Sequence, residues 1–245
     1  MIIEAAFYKL SDYFQSIESP RELYESQLSF IFAVAIFQEF QQRGFSYLLP
    51  YIQVDRPYPN RSRKADIFVK LPKTKLPAEI LRRWAASGVC EENWIEVKFF
   101  GGAERKDSQE PKTQNLGKVL EALLRLKFYV EEGGKYLLLV FSRPPEYYLP
   151  DREYLSDLLR DGENSIKVNL SEERKTVISS INDDDLRALV LEREVEFRLR
   201  TNSIRPIPVK GLLTPTEPKL SERRENSPPK DEPMYHFYLI RILEP

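Results

Sequence analysis

The stretch NWIEVKFF, residues 93 to 100, constrains this chain more than any other. Its Trp, Ile, Val and Phe content is that of a buried β-strand, yet Glu96 and Lys98 sit in the middle of it. Successive strand side chains point to opposite faces, so these two project from the same face, roughly 6.5–7 Å apart along the strand. Removing either charge from water costs several kcal/mol unless it is paired or bound to a metal. A fold that accepts this strand must also supply the compensation.

Other lysines preceded by an acid two positions earlier are Lys106, Lys112, Lys175 and Lys219. All four lie in polar, helix-like or proline-rich surroundings, where a solvated pair is the ordinary explanation. Only Glu96 and Lys98 interrupt an apolar strand. KADIFVK repeats the anomaly, with Asp66 at the start of a second apolar strand. Two strands arranged in this way present two carboxylates and an ammonium at one end of a sheet. Carboxylates brought together repel, and a divalent cation relieves the repulsion. With one histidine (His236) and one cysteine (Cys90) in the chain, the donors are hard oxygens, which suit Mg²⁺ or Mn²⁺ better than zinc. The same scarcity excludes disulfide frameworks and Cys-rich zinc modules, and it leaves no histidine for His-dependent hydrolases or nucleases.

The elements around these strands imply an α/β domain. A helix is expected from Ser19 (N-cap), Pro20 and Glu22 (capping box) through to Gly44, apolar nearly all round from Leu28 to Phe40 and therefore mostly buried. Strands are expected near 47–55 and 64–71, a short helical insertion at LPAEILRRWAASG, and the strand at 93–100. A polar loop at 101–114, a helix of about 114–132 and a buried strand at 135–141 follow. The order helix, three strands, helix, strand implies a mixed central sheet. Beyond it, helices at LPDREYLSDLLRDG and DDDLRALVLER alternate with strands at SIKVNL and EVEFRLR. Residues 211–233 are proline-rich and charged, as expected of a long exposed loop, and MYHFYLIRIL is expected to form a last strand docking back on the core.

Asp66, then Glu96-Val97-Lys98, resembles the signature of the PD-(D/E)XK nuclease superfamily, the restriction-endonuclease-like fold. The resemblance covers roughly residues 20–141 and includes the element order. It implies a restriction-endonuclease-like mixed sheet flanked by helices over residues 1–200, with a C-terminal α+β extension over 201–245. It also implies that Asp66, Glu96 and the Val97 carbonyl bind Mg²⁺, with Mn²⁺ as a substitute, and that Lys98 serves the attacking water. Many members add a Glu from the preceding helix, for which Glu25 is the natural candidate and Glu39 the competing acid. One departure is Ala65, where the signature has Pro.

The implied function is Mg²⁺-dependent hydrolysis of DNA phosphodiesters, first of all by a restriction or defence endonuclease, acting as a homodimer if both strands are cut. A catalytically inactive nucleic-acid-binding or assembly domain of the same fold is the alternative. Arg61, Arg63 and Lys64, just before Asp66, are placed to grip phosphates, and Lys112 and Gln114 to shape the DNA-facing rim. Plainer readings stand beside these: a half-exposed strand with a cross-strand ion pair for Glu96 and Lys98, a satisfied turn for Asp66, a solvent-facing helix residue for Glu25, and solvated loops for the basic residues. With 37 basic and 38 acidic side chains and a net charge of −1, any polyanion binding has to be local. No apolar run reaches the ~20 residues of a membrane span. The acid at Glu4 and the lack of a basic leader argue against a signal peptide, so a reducing, cytoplasmic setting is expected.

Overall fold

The computed structural model describes residues 2–16, 23–71, 78–79, 82, 90–101, 111–191, 193–208 and 234–243. Among the described residues seven strands form one mixed sheet: β1 (Ile52–Pro57), β2 (Lys64–Lys70), β3 (Glu92–Phe100), β4 (Gly134–Phe141), β5 (Gly162–Asn169), β6 (Glu194–Pro208) and β7 (Met234–Leu243). Their order is β1-β2-β3-β4-β7-β6-β5. Only β3 and β4 pair in parallel, from Asn93↔Gly134 to Phe100↔Phe141; the other neighbours are antiparallel. A parallel pair needs a crossover, and α3 (Lys112–Tyr129) lies in that connection.

Each face of the sheet is covered by its own core. On one face α1 (Ile2–Ser16) and α2 (Glu25–Gln42) pack Phe7, Leu10, Phe32 and Ile36 against Ile67, Ile95, Val97 and Leu138. On the other, α3 packs Leu116, Leu120 and Leu123 against Trp94, Phe100, Leu137 and Phe141. The helices α5 (Glu153–Leu159), α6 (Lys175–Ser179) and α7 (Asp184–Val190) join this second layer, and α4 (Pro145–Tyr148) is a single turn beyond β4. β4 is buried at every position, as a two-sided central strand must be.

Several elements differ from these expectations or add to them. The N-terminal segment is a helix whose Ile2, Ile3, Ala6, Phe7, Leu10 and Phe14 fall on one buried side. α2 is mostly buried from Leu28 to Phe40, as expected, although Phe30 is 66% exposed. It does end at Gly44, which has φ +80°: Gly44 N donates to Gln41 O and Phe45 N to Phe40 O. The strand expected from residue 47 begins at Ile52, because Ser46–Tyr51 is a 3₁₀ turn containing Pro50, which has no N–H for a ladder. The expected division at residue 200 falls inside β6, and β7 pairs on both sides, with β4 and with β6. The helix expected from a Ser19 cap begins instead at Glu25, with Tyr24 as its extended N-cap and Tyr24 N donating to Gln27 Oε1 at 2.9 Å. Residues 17–22, most of the LPAEILRRWAASG insertion, residues 102–110 and the 211–233 loop lie outside the described residues.

Candidate functional site

The site forms where β2 parts from β3. Their ladder runs from Lys70↔Glu92 to Ile67↔Ile95 and stops there, while β2 continues to pair with β1 as far as Pro57↔Lys64. The N–H groups of Val97 and Phe99 on the parted edge of β3 are satisfied by carboxylates instead of a strand. Asp66 Oδ2 accepts from Val97 N at 2.6 Å, and Glu25 Oε2 accepts from Phe99 N at 3.2 Å. Glu25 reaches this edge because it opens α2, where an acid also favours the helix dipole.

Lys98 gathers the set. Its Nζ donates to Val97 O at 2.6 Å and to Glu25 Oε1 at 2.9 Å, and lies 3.8 Å from both Asp66 Oδ2 and Glu96 Oε2. Four oxygen-bearing groups therefore surround one cation, which is the compensation that the strand required. Burial alone would lower the Lys98 pKa, but the Asp66, Glu25 and Glu96 charges outweigh it and raise it. The Glu96 side chain is 1% exposed. Burial, and then the Asp66 charge, pushes its carboxyl up to about 7, against the pull of Lys98 and Arg125. Asp66 is also raised, by burial first, in spite of Lys98 and the Val97 N–H.

A second tier, which the sequence reading missed, stands behind Glu96. Tyr58 Oη donates to Glu96 Oε1 at 2.6 Å, and its ring stacks on Trp94 at 5.3 Å. Arg125, from α3, brings Nη1 to 3.9 Å from Glu96 Oε2 and is itself held by Glu121. The available signal was of the same kind as in NWIEVKFF: Arg125 interrupts the apolar run Leu123, Leu124, Leu126. Tyr58, in a proline-flanked turn, gave none.

The expected phosphate-gripping residues are partly engaged within the protein. Arg61 pairs with Asp185 at 2.7 Å and lies over the Tyr129 ring, while Arg63 donates to Asn182 O at 2.6 Å. Lys64 is exposed at the start of β2. Lys112 and Gln114 are exposed on the first turn of α3, with Lys112 Nζ donating to Glu146 O at 2.6 Å. Glu39 is not part of the site: it is buried beside Lys9 and Arg43.

All donors around Lys98 are oxygens, so their chemistry fits a hard divalent cation. Among the described residues no three His, Cys, Asp or Glu side chains form a ready metal cage; the ammonium is the cation that these oxygens share. No protein-family model, curated protein or solved structure matches this chain. Among the described residues no helix is long and apolar enough to cross a membrane.

Proposed function

We propose that this protein is a divalent-cation-dependent nuclease that hydrolyses phosphodiester bonds in DNA. The observation that carries the reading is the gathering of Asp66, Glu96, Glu25 and the Val97 carbonyl around the Lys98 ammonium where β2 and β3 part. The succession α2–β1–β2–β3–α3–β4 supports it, with Asp66 on the second strand, Glu96 and Lys98 on the third, and the third and fourth strands parallel. It is the element order that the resemblance to the PD-(D/E)XK nucleases implies. A restriction or defence endonuclease is the member of that class to which the resemblance points first.

Asp66, Glu96, Glu25 and the Val97 carbonyl would hold Mg²⁺ or Mn²⁺, which when bound supplies charge stabilisation and a more acidic water. Glu96 is held by the Tyr58 hydrogen bond, with the Arg125 charge 3.9 Å from its other oxygen, so the chain presents that carboxylate with little conformational search. Lys98 stays protonated among three carboxylates, which suits it to orient water and offset developing negative charge rather than to accept a proton. The exposed Lys64 and the Arg61 and Arg63 side chains would meet the phosphate backbone.

A non-catalytic nucleic-acid-binding module is the second reading. It is favoured by one observation: Lys98 Nζ lies within 4 Å of Glu25, Asp66 and Glu96, so the ammonium itself offsets part of their charge. The test is incubation with supercoiled, linear and single-stranded DNA in Mg²⁺, Mn²⁺ or EDTA, beside Lys98→Ala. Metal-dependent cleavage abolished by the substitution is expected. DNA binding without cleavage, unchanged by the substitution and by the metal, would transfer the assignment to the binding module.

A further inference from the structure

Between the basic loop at residues 61–63 and the candidate site runs a ladder of charges that alternate in sign. Arg63 Nε lies 3.7 Å from Asp183 Oδ2, and the same oxygen lies 4.0 Å from Arg125 Nε. Arg125 Nη1 lies 3.9 Å from Glu96 Oε2, which lies 3.8 Å from Lys98 Nζ. The Arg63 side chain is 43% exposed and the Glu96 side chain 1%, so the ladder leads from the surface to the buried end of the site.

The middle step is unusual. Asp183 Oδ2 and Arg125 Nε are both buried and neither has a hydrogen-bond partner, although each faces an opposite charge at about ion-pair distance. Asp183 is otherwise firmly held: its Oδ1 accepts from Tyr129 Oη at 2.8 Å and from Leu186 N at 3.2 Å, as the N-cap of α7. Arg125 is anchored through Nη2 on Glu121, whose other oxygen accepts from Asn182 N at 3.2 Å. One fixed carboxylate oxygen is thus divided between two guanidinium groups and hydrogen-bonded to neither. A buried pair that stops short of contact changes partners at small cost, because each group already lacks its best geometry.

We propose that Asp183 and Arg125 are positioning residues that couple phosphate binding at Arg63 to cation binding at Glu96. This rests on the nuclease reading above. A phosphate that takes Arg63 leaves Asp183 to Arg125 alone. Arg125 then closes on Asp183 and relaxes its pull on Glu96, whose carboxylate gains negative potential facing the cation. Linkage makes the effect reciprocal, so cation binding at Glu96 tightens phosphate binding at the loop. The site is thereby biased toward holding its cation when the nucleic acid is present.

The test measures the affinity of a short fluorescent DNA duplex by anisotropy, in Ca²⁺ and in EDTA, for the wild type, Asp183→Asn and Arg63→Gln. Asn at 183 keeps the cap acceptor and the partner of Tyr129 while removing the charge, and Arg63 is a surface residue whose replacement leaves the core intact. Direct bridging of cation to phosphate persists in both variants, so a change in the Ca²⁺ enhancement reads the ladder. The expected enhancement in the wild type falls by about fivefold or more in each variant. An enhancement that survives undiminished in both overturns the coupling and leaves the nuclease reading standing. No effect of Ca²⁺ on the wild type, combined with no cleavage in Mg²⁺, overturns both.

Discussion

At the scale of the residue, Glu96 governs the site. Burial, and then the Asp66 charge, pushes its carboxyl up to about 7 from a usual 4.5. Between those values the folded chain holds a proton that the unfolded chain has lost. The stability linked to Glu96 is therefore complete below about 4.5 and is lost as pH rises through about 7. Lys98 is raised from a value already far above this window, so it contributes no slope there. In EDTA, urea unfolding midpoints are expected to fall between pH 4.5 and pH 7 by a stability on the order of 3 kcal/mol. Glu96→Gln, which cannot ionise, should flatten that part of the profile and lie above the wild type at pH 7. An unchanged slope in the variant would mean that another group carries the proton.

At the scale of the element, the return from α3 to β4 fixes the register that puts β4 beside the Glu96–Lys98 strand. Gly133 makes that turn with φ +120°, and a Cβ there would stand 2.5 Å from Glu92 O. The backbone of β3 and the start of β4 meet at this point, with Asn93 opposite Gly134. Gly133→Ala combines a disfavoured φ with a backbone clash, so a loss of at least about 1–2 kcal/mol is expected in denaturant unfolding. Ala at Gly44 is the control: it shares the positive φ, but a Cβ there meets nothing within 4 Å, so it should cost less. Equal losses at the two positions would show that the contact with Glu92 is unimportant.

At the scale of the whole molecule, β7 lies inside the sheet and is hydrogen-bonded to β4 and β6. Its Phe237 and Leu239 belong to the core under α1 and α2, and Ile240 and Ile242 to the core under α3. Cutting the chain after Pro208 removes a central strand and exposes the edges of β4 and β6, an arrangement prone to aggregation. Such a truncation is expected to be insoluble or to lack a cooperative thermal transition by circular dichroism, whereas an appended strand could be lost with little effect.

The α/β alternation, the buried strands at 93–100 and 135–141, the stop at Gly44 and the anomaly of Glu96 and Lys98 were determined by the sequence alone. Each follows from local chemistry: apolar periodicity, a glycine at a positive φ, or a charge where water is excluded. The pattern Ile2, Ile3, Ala6, Phe7, Leu10, Phe14 was equally local and could have placed α1. Only the tertiary structure decided that Glu25 caps the parted edge of β3 across 74 residues, that Tyr58 and Arg125 hold Glu96, and that Asp183 lies between Arg63 and Arg125. It also decided that β7 enters the middle of the sheet. A sequence shows that a buried charge needs a partner, because the cost of burial is a local property; which partner arrives depends on strand order and helix placement, which no local pattern encodes.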